Sequence, residues 1–338
     1  VAALVAALVI GSWSARPATA QQDRIYPSTG NPLNGAVDRV SKDGITIKTR
    51  ANTEAIAVDK IDKVMFDGDP SALTRGREFA LDGQFQQALD ELKNVDMDKI
   101  RREVIKTDAE FYRALAQARL ALSGTGDRTQ AAKDMLAFYK AHGDSWHFAE
   151  AAETLGDLAR AMGNFKAAQT FYNAMGNVRA TSIRIEAVYL AALTQLREGK
   201  PQEALEAFDK IIGVQGDSTA ILRLQQLAKA GRVAALGSLG KTAEALEESE
   251  ALIQQLDTTD TELTARVYNA RGQTFEQASR PEEASIAFLH TTLLCSAIPD
   301  AHAEALSRLI PIWNALGQPE RANAARQELQ QRYPGWGG

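Results

Sequence analysis

The sequence predicts a mainly α protein: a solenoid of helical hairpins, about seven units long, preceded by a small antiparallel β-module. Three observations carry this. A ten-residue phrase is written seven times. It is clearest as "GQFQQALDEL" (83–92), "GNFKAAQTFY" (163–172), "GKPQEALEAF" (199–208) and "GKTAEALEES" (240–249). Looser copies read "GDRTQAAKDM" (126–135), "SRPEEASIAF" (279–288) and "GQPERANAAR" (317–326). The hydrophobic pattern changes at Asp69-Pro70, from alternation to apolar residues three and four apart, as strand gives way to helix. Cys295 is the only cysteine, so no internal disulfide is possible, and a chain of 338 residues can bury enough surface without one.

Residues 1–20, "VAALVAALVIGSWSARPATA", form an apolar run of signal-peptide length. It ends on Ala18-Thr19-Ala20, an A-x-A cleavage pattern. A membrane span needs about 20 apolar residues, and Ser12, Ser14, Arg16 and Pro17 interrupt this run too early. An exported chain beginning near Gln21, in the periplasm or cell envelope, is therefore expected, without stable membrane insertion after cleavage. No cysteine stands near the cleavage site, which argues against a lipoprotein. With 38 basic and 43 acidic residues the net charge is −5, which gives no reason to expect nucleic acid or an anionic membrane as partner.

Residues 21–33 contain Pro27, Gly30 and Pro32 and read as a linker or a loose first strand. From 34 to 68 the period is two: "GAVDRVS", "GITIKTR" and "EAIAV" alternate apolar with polar, and "IDKVMF" closes the series. Turn signals at Lys42-Asp43-Gly44 and Asn52-Thr53 separate them, the signature of a small antiparallel sheet. So few strands do not stand as one flat layer, so a curled, barrel-like module similar to SH3-like or Sm-like folds is expected.

The helical array is expected over 69–334, with 335–338 as a tail. Asp69 suits an N-cap and Pro70 a first turn, where its missing N–H costs nothing. Each phrase opens on Gly83, Gly126, Gly163, Gly199, Gly240, Ser279 or Gly317, which supplies the left-handed residue that ends a helix. Pro201, Pro281 and Pro319 follow two residues later, near the start of the next helix. Five residues after each opener stands an alanine: Ala88, Ala131, Ala168, Ala204, Ala245, Ala284 and Ala322. Twelve residues before it a small residue recurs at Gly76, Gly156, Ala192 and Gly272, where two facing small residues would let paired helices approach closely. Four residues after it comes a bulky one, Leu92, Tyr172, Phe208 or Phe288, expected to fill the groove between a hairpin and its neighbours. One hairpin cannot bury both apolar faces, and a stack can.

Small residue, turn glycine, alanine and bulky residue together resemble the tetratricopeptide repeat, most plainly in "LGDLARAMGNFKAAQTFYNAM" (155–175) and "NARGQTFEQASRPEEASIAF" (269–288). Pro334 stands where that family places its closing proline. The chain departs from the family in lacking the early Trp and in its longer spacings, and the units at 115–141 and 223–255 are degenerate. The resemblance implies that the first helix of each hairpin lines a concave groove. Carried onto this sequence, the groove would expose Glu150, Glu153, Asp157 and Arg160 from one unit. The next would add Glu186, Tyr189 and Arg197, and the sixth Arg266, Asn269, Gln273 and Glu276. Together these describe a mixed-charge trough suited to a peptide or a protein segment. The Lys/Asn clamp that some members use for C-terminal carboxylates is not recognisable.

No catalytic constellation can be assembled. His142 and His147 are five apart and flank a turn, Cys295 follows an apolar run as a small buried hydrophobe does, and no metal-ligand or phosphate-loop pattern is present. "GSLGK" (237–241) lacks the spacing of a phosphate loop and sits at a hairpin turn. No cofactor is expected. The expectation is a non-enzymatic scaffold or adaptor of the cell envelope that binds a partner protein or peptide on the concave face of the solenoid. The alternative is a glycan- or cell-wall-binding accessory protein.

Overall fold

The computed structural model describes residues 21–257, 259–334 and 336. The expected export signal, 1–20, lies outside the described residues, as does all of the 335–338 tail except Trp336.

Five antiparallel strands come first: β1 (Asp23–Pro27), β2 (Leu33–Ser41), β3 (Gly44–Lys48), β4 (Thr53–Ala57) and β5 (Ile61–Met65). Their order in the sheet is β4-β3-β2-β1-β5. The first residues of β2 pair with β1 and the rest with β3, with a register shift between Val37 and Arg39 that bends the strand. Curling buries Ile25, Ile45, Ile47 and Val64 under one face. The alternating pattern was a sound guide to β2–β5. The 21–33 segment, however, is not a linker, because β1 lies there, between β2 and β5, and the module starts before residue 34.

Asp23 is the physical reason. It is 0% exposed, and its carboxylate accepts from Arg102 (2.6 and 3.0 Å), from the backbone N–H groups of Val37 and Asp67 (2.8 Å each) and from Gln21 (2.6 Å). Burial alone would raise its pKa. The Arg102 guanidinium and the N–H donors outweigh that and hold it below the ordinary value.

Fourteen helices follow in seven hairpins. They are α1 (Ser71–Leu81) with α2 (Phe85–Leu92), α3 (Glu103–Leu122) with α4 (Arg128–Ala141), and α5 (Phe148–Ala161) with α6 (Phe165–Met175). Next come α7 (Thr181–Arg197) with α8 (Pro201–Ile212) and α9 (Thr219–Ser238) with α10 (Thr242–Ile253). The last two pair α11 (Thr261–Gln277) with α12 (Pro281–Leu294) and α13 (Pro299–Ala315) with α14 (Pro319–Arg332). Every residue that opens a phrase sits in its hairpin turn with positive φ, Ser279 included at 56°. Each of the seven phrase alanines is buried, none more than 3% exposed.

The bulky residues behave differently from the expectation. Leu92, Tyr172 and Phe288 press onto the small residue of their own hairpin, rather than only filling the groove between units. A Cβ added to Gly76 would stand 2.6 Å from Leu92 Cγ, and one added to Gly272 would stand 2.8 Å from the Phe288 ring. Phe208 does reach the neighbour, covering Gly231 on α9.

The β-module packs along α1 and against the loops that join the second, third and fourth hairpins. Lys63 pairs with Glu78 on α1 at 2.6 Å, Asp144 accepts from Lys42 N at 3.3 Å, and Asp43 accepts from Arg179 N at 2.7 Å. Ser182 donates to Asp59 at 2.7 Å. At the opposite edge, which carries the turns within hairpins, the last unit comes back to the second. Pro334 packs on Gly124 in the α3–α4 turn, where a Cβ would stand 2.5 Å from Pro334 Cδ. The solenoid thus winds once around a lumen.

Ala204 is 0% exposed at the closest approach of α7 and α8, whereas Ala207 is only partly buried. Ala204→Leu should cost about 1–3 kcal/mol by overpacking, and Ala207→Leu much less. Thermal melts of the two variants check this; equal melting temperatures would contradict the register.

Candidate functional site

The lumen is lined by the first helix of each hairpin, and five of these, α5, α7, α9, α11 and α13, surround a cavity of about 140 Å³. Small residues on α9 make the room: Ala230, Gly231, Ala234 and Ser238 leave the wall thin where the other helices send in long polar side chains. Six of the eleven trough residues expected from sequence meet here: Arg160, Tyr189, Arg197, Arg266, Asn269 and Gln273. Glu150, Glu153, Asp157, Glu186 and Glu276 do not line the cavity.

Several of these residues are less open than a solvated groove requires. Tyr189 is 4% exposed and Asn269 3%. The α11 residues reach across to α13, where Arg266 pairs with Asp300 at 2.8 Å and Gln273 donates to Glu304 at 2.7 Å. Asn269 donates to the Ala301 carbonyl at 2.9 Å. Those three residues therefore tie adjacent units together as well as facing the cavity, and two buried atoms, Asn269 Oδ1 and Arg266 Nε, have no partner among the described residues. Asp300, Glu304 and Arg308 were missed from sequence. Glu304 had a signal: it precedes Ala322 by eighteen residues, the offset of Arg266 from Ala284 and of Glu186 from Ala204.

Charges in the cavity are unevenly matched. Arg160 pairs with Asp157 at 3.1 Å, and Arg308 with Glu276 at 3.4 Å. Asp157 is further fixed by the Tyr172 hydroxyl, which donates to it at 2.8 Å. Burial would raise the Asp300 carboxyl, but Arg266, Arg160 and Arg197 overcome this and hold it far below the usual carboxylate range. Arg197 differs from the other arginines. Among the described residues it has no carboxylate within 4.0 Å, and burial together with the like charges of Arg160 and Arg266 lowers its pKa against the opposing pull of Glu304 and Asp300. Its guanidinium instead lies 4.9 Å from the centre of the Trp336 ring. Burial pushes the Tyr189 phenol up to about 12, so its hydroxyl keeps its proton and remains a donor.

Among the described residues, no group of three or more His, Cys, Asp or Glu side chains converges as a metal site would require, and no helix is long and apolar enough to cross a membrane.

No family model matches the chain, and no curated protein matches it. Solved structures do. One is a tetratricopeptide repeat protein from Parabacteroides merdae ATCC 43184, at 17% identity and a TM-score of 0.55, covering 77% of this chain and 91% of that one. Another is the apo form of the quorum sensor NprR from B. thuringiensis, at 14% identity and a TM-score of 0.51, covering 77% of this chain and 86% of that one. Likeness at such identities speaks for the fold alone: this chain has the tetratricopeptide repeat fold, as its phrases led us to expect.

Next to the cavity lies an acidic stretch of the lumen. Burial, then the charge of Glu262 and Asp157, pushes Glu186 up to about 7, against the opposing pull of Arg223. Burial and neighbouring Glu186 raise Glu153 well above its ordinary value, despite Arg119. In each case the folded protein holds a proton that the unfolded chain releases near the ordinary value of 4.5. For Glu186 the stability contribution is therefore complete below about 4.5 and is lost as pH rises through about 7. Glu186→Gln should remove part of this slope. Its melting temperature relative to the parent should rise between about pH 5 and about pH 8, and a difference that stays constant with pH would sink the assignment.

Proposed function

We propose that the protein is a non-enzymatic interaction scaffold of the cell envelope that holds a segment of a partner protein or peptide in the lumen of the solenoid. The observation that carries this is the convergence of unpartnered polar groups on one cavity. The Asn269 Oδ1 and the Arg266 Nε are buried in its lining without a hydrogen-bond partner among the described residues, and the Arg197 guanidinium, partly exposed there, has no carboxylate within 4.0 Å. Buried polar atoms without partners are costly, and a bound segment would satisfy them. A few such anchors give most of the affinity of a binding surface. A glycan platform would call for rings open to the lumen in a row, whereas Tyr189 presents little more than its hydroxyl at 4% exposure.

Supporting the envelope setting is the apolar run of residues 1–20 with its Ala18-Thr19-Ala20 ending. The mature chain is expected to begin near Gln21 and to be recovered outside the cytoplasm, which N-terminal mass spectrometry of the native protein checks. Intact residues 1–20 on a soluble cytoplasmic protein would end that part of the proposal.

Binding in the lumen is tested by a photo-crosslinking residue placed at Gln273, inside, or at Glu247 on α10, which does not line the cavity. In envelope extracts the Gln273 variant should form a discrete adduct and the Glu247 variant should not. Adducts from Glu247 alone would move the working surface to the outside of the array.

A further inference from the structure

Arg197 is placed as a binding group would be. It closes the cavity from the last turn of α7, and it stands among two other guanidiniums, Arg160 and Arg266, that already have carboxylates of their own. Glu304 and Asp300 pull against those like charges from beyond 4.0 Å, so a carboxylate in direct contact is the partner Arg197 still lacks. Tyr189 offers a second donor from the same helix. It is 4% exposed, lines the same cavity, and its hydroxyl makes no hydrogen bond among the described residues. Two unused donors, one charged and one neutral, thus face one small chamber.

Trp336 lies against this guanidinium and is the contact with which an incoming anion would compete. Its ring lies over the Arg197 guanidinium, and the turn before it is held by Pro334 on Gly124 and by Trp336 N donating to the Tyr333 carbonyl at 3.0 Å. A ring face offers a guanidinium only a weak substitute for a carboxylate. The cover is also imperfect on its own side, because the indole Nε1 is buried with no acceptor among the described residues. An incoming carboxylate would give Arg197 a stronger partner, and displacement would free the indole to meet water.

We infer that the lumen contains a site for an acidic side chain of the partner, with Arg197 and Tyr189 as its donors and Trp336 as the cover displaced on binding. This rests on the lumen being the binding surface and adds the chemistry of what enters it.

The test uses a fluorescein-labelled hexaglutamate, amidated at its C-terminus so that its side chains carry the charge, at about 0.15 M salt, where exposed charges are largely screened. Hexalysine and a hexaserine with a free C-terminus serve as controls. Trp336→Ala should bind hexaglutamate about fivefold tighter than the parent, because the cation–π contact no longer competes. Adding Arg197→Gln to that variant should weaken binding about tenfold or more, the loss expected for a buried charged donor. Tyr189→Phe keeps the ring and removes one hydrogen bond, and should cost about threefold. Circular dichroism of each variant should remain that of the parent.

The inference is overturned if Trp336→Ala fails to bind hexaglutamate, or binds it equally with and without Arg197. It is also overturned if hexalysine or hexaserine binds as tightly as hexaglutamate. Should any of these occur while Gln273 still yields its lumen adduct, only the acidic chemistry falls.

Discussion

Two helices can close around a ring only if one of them gives up a side chain, and this exchange sets the geometry of the array. Gly156 lies under Tyr172, Gly272 under Phe288, and Gly231 under the Phe208 of the preceding hairpin. A Cβ at any of them would meet ring carbons, so each notch admits its ring in one register. Packing at native density leaves little slack for a second arrangement. Because similar notches recur along the chain, successive hairpins turn in the same sense, and the seventh arrives beside the second. The lumen follows from that repetition. Tyr172 shows the link directly, since the ring that fills the Gly156 notch carries the hydroxyl that fixes Asp157, and Asp157 in turn fixes Arg160.

A different device joins the β-module to this array. Arg77 on α1 is 0% exposed and bonds Asp69 at 2.9 Å and Asp108 on α3 at 2.5 Å, while the other Asp108 oxygen meets His147 at 2.8 Å. Burial works against all these charges. Asp108 nevertheless stays below its ordinary pKa, through the Arg77 charge and the His147 contact, while Asp69 is raised because burial outweighs Arg77 there. Such a network adds little net stability over an apolar core of equal shape, and breaking one arm is costly. Its evident effect here is positional. It locks the segment after β5 to the first three hairpins, and the fully buried Asp23 does the same for β1 through Arg102.

How much of this was legible depended on how local each cause was. Turn residues, phrase alanines and the change of period at Asp69-Pro70 act within one hairpin, and all seven turns fell where the phrase placed them. β1 was left undecided between linker and loose strand because its stability comes from Asp23 receiving hydrogen bonds from residues 14, 44 and 79 positions away, which leave no periodic trace. The trough was legible as a set of helix faces, and six of its eleven residues do converge. Its burial was not legible, because whether a polar face is open or closed depends on how tightly the solenoid winds. That winding is fixed by distant contacts such as Pro334 against Gly124. The same cause hid Asp300 and Arg308, whose meaning appears only once α13 lies opposite α5 and α7.

Tight winding also restricts what the lumen can accept. A wide solenoid presents an open concave face on which a helix or a folded domain can lie. Here the β-module stands on one edge, the segment through Pro334 and Trp336 crosses the other, and the polar cavity between them is about 140 Å³, room for on the order of ten waters. An extended segment that inserts one side chain at a time suits such a space. Charge narrows the choice further. Arg160, Arg266 and Arg308 each pair with a carboxylate of the protein, whereas Arg197 has none within 4.0 Å among the described residues and is the cation whose energy a partner would change most. On the proposed reading, selectivity would arise from one cation without a direct carboxylate inside a shaped wall, rather than from the total charge of the molecule, which is negative.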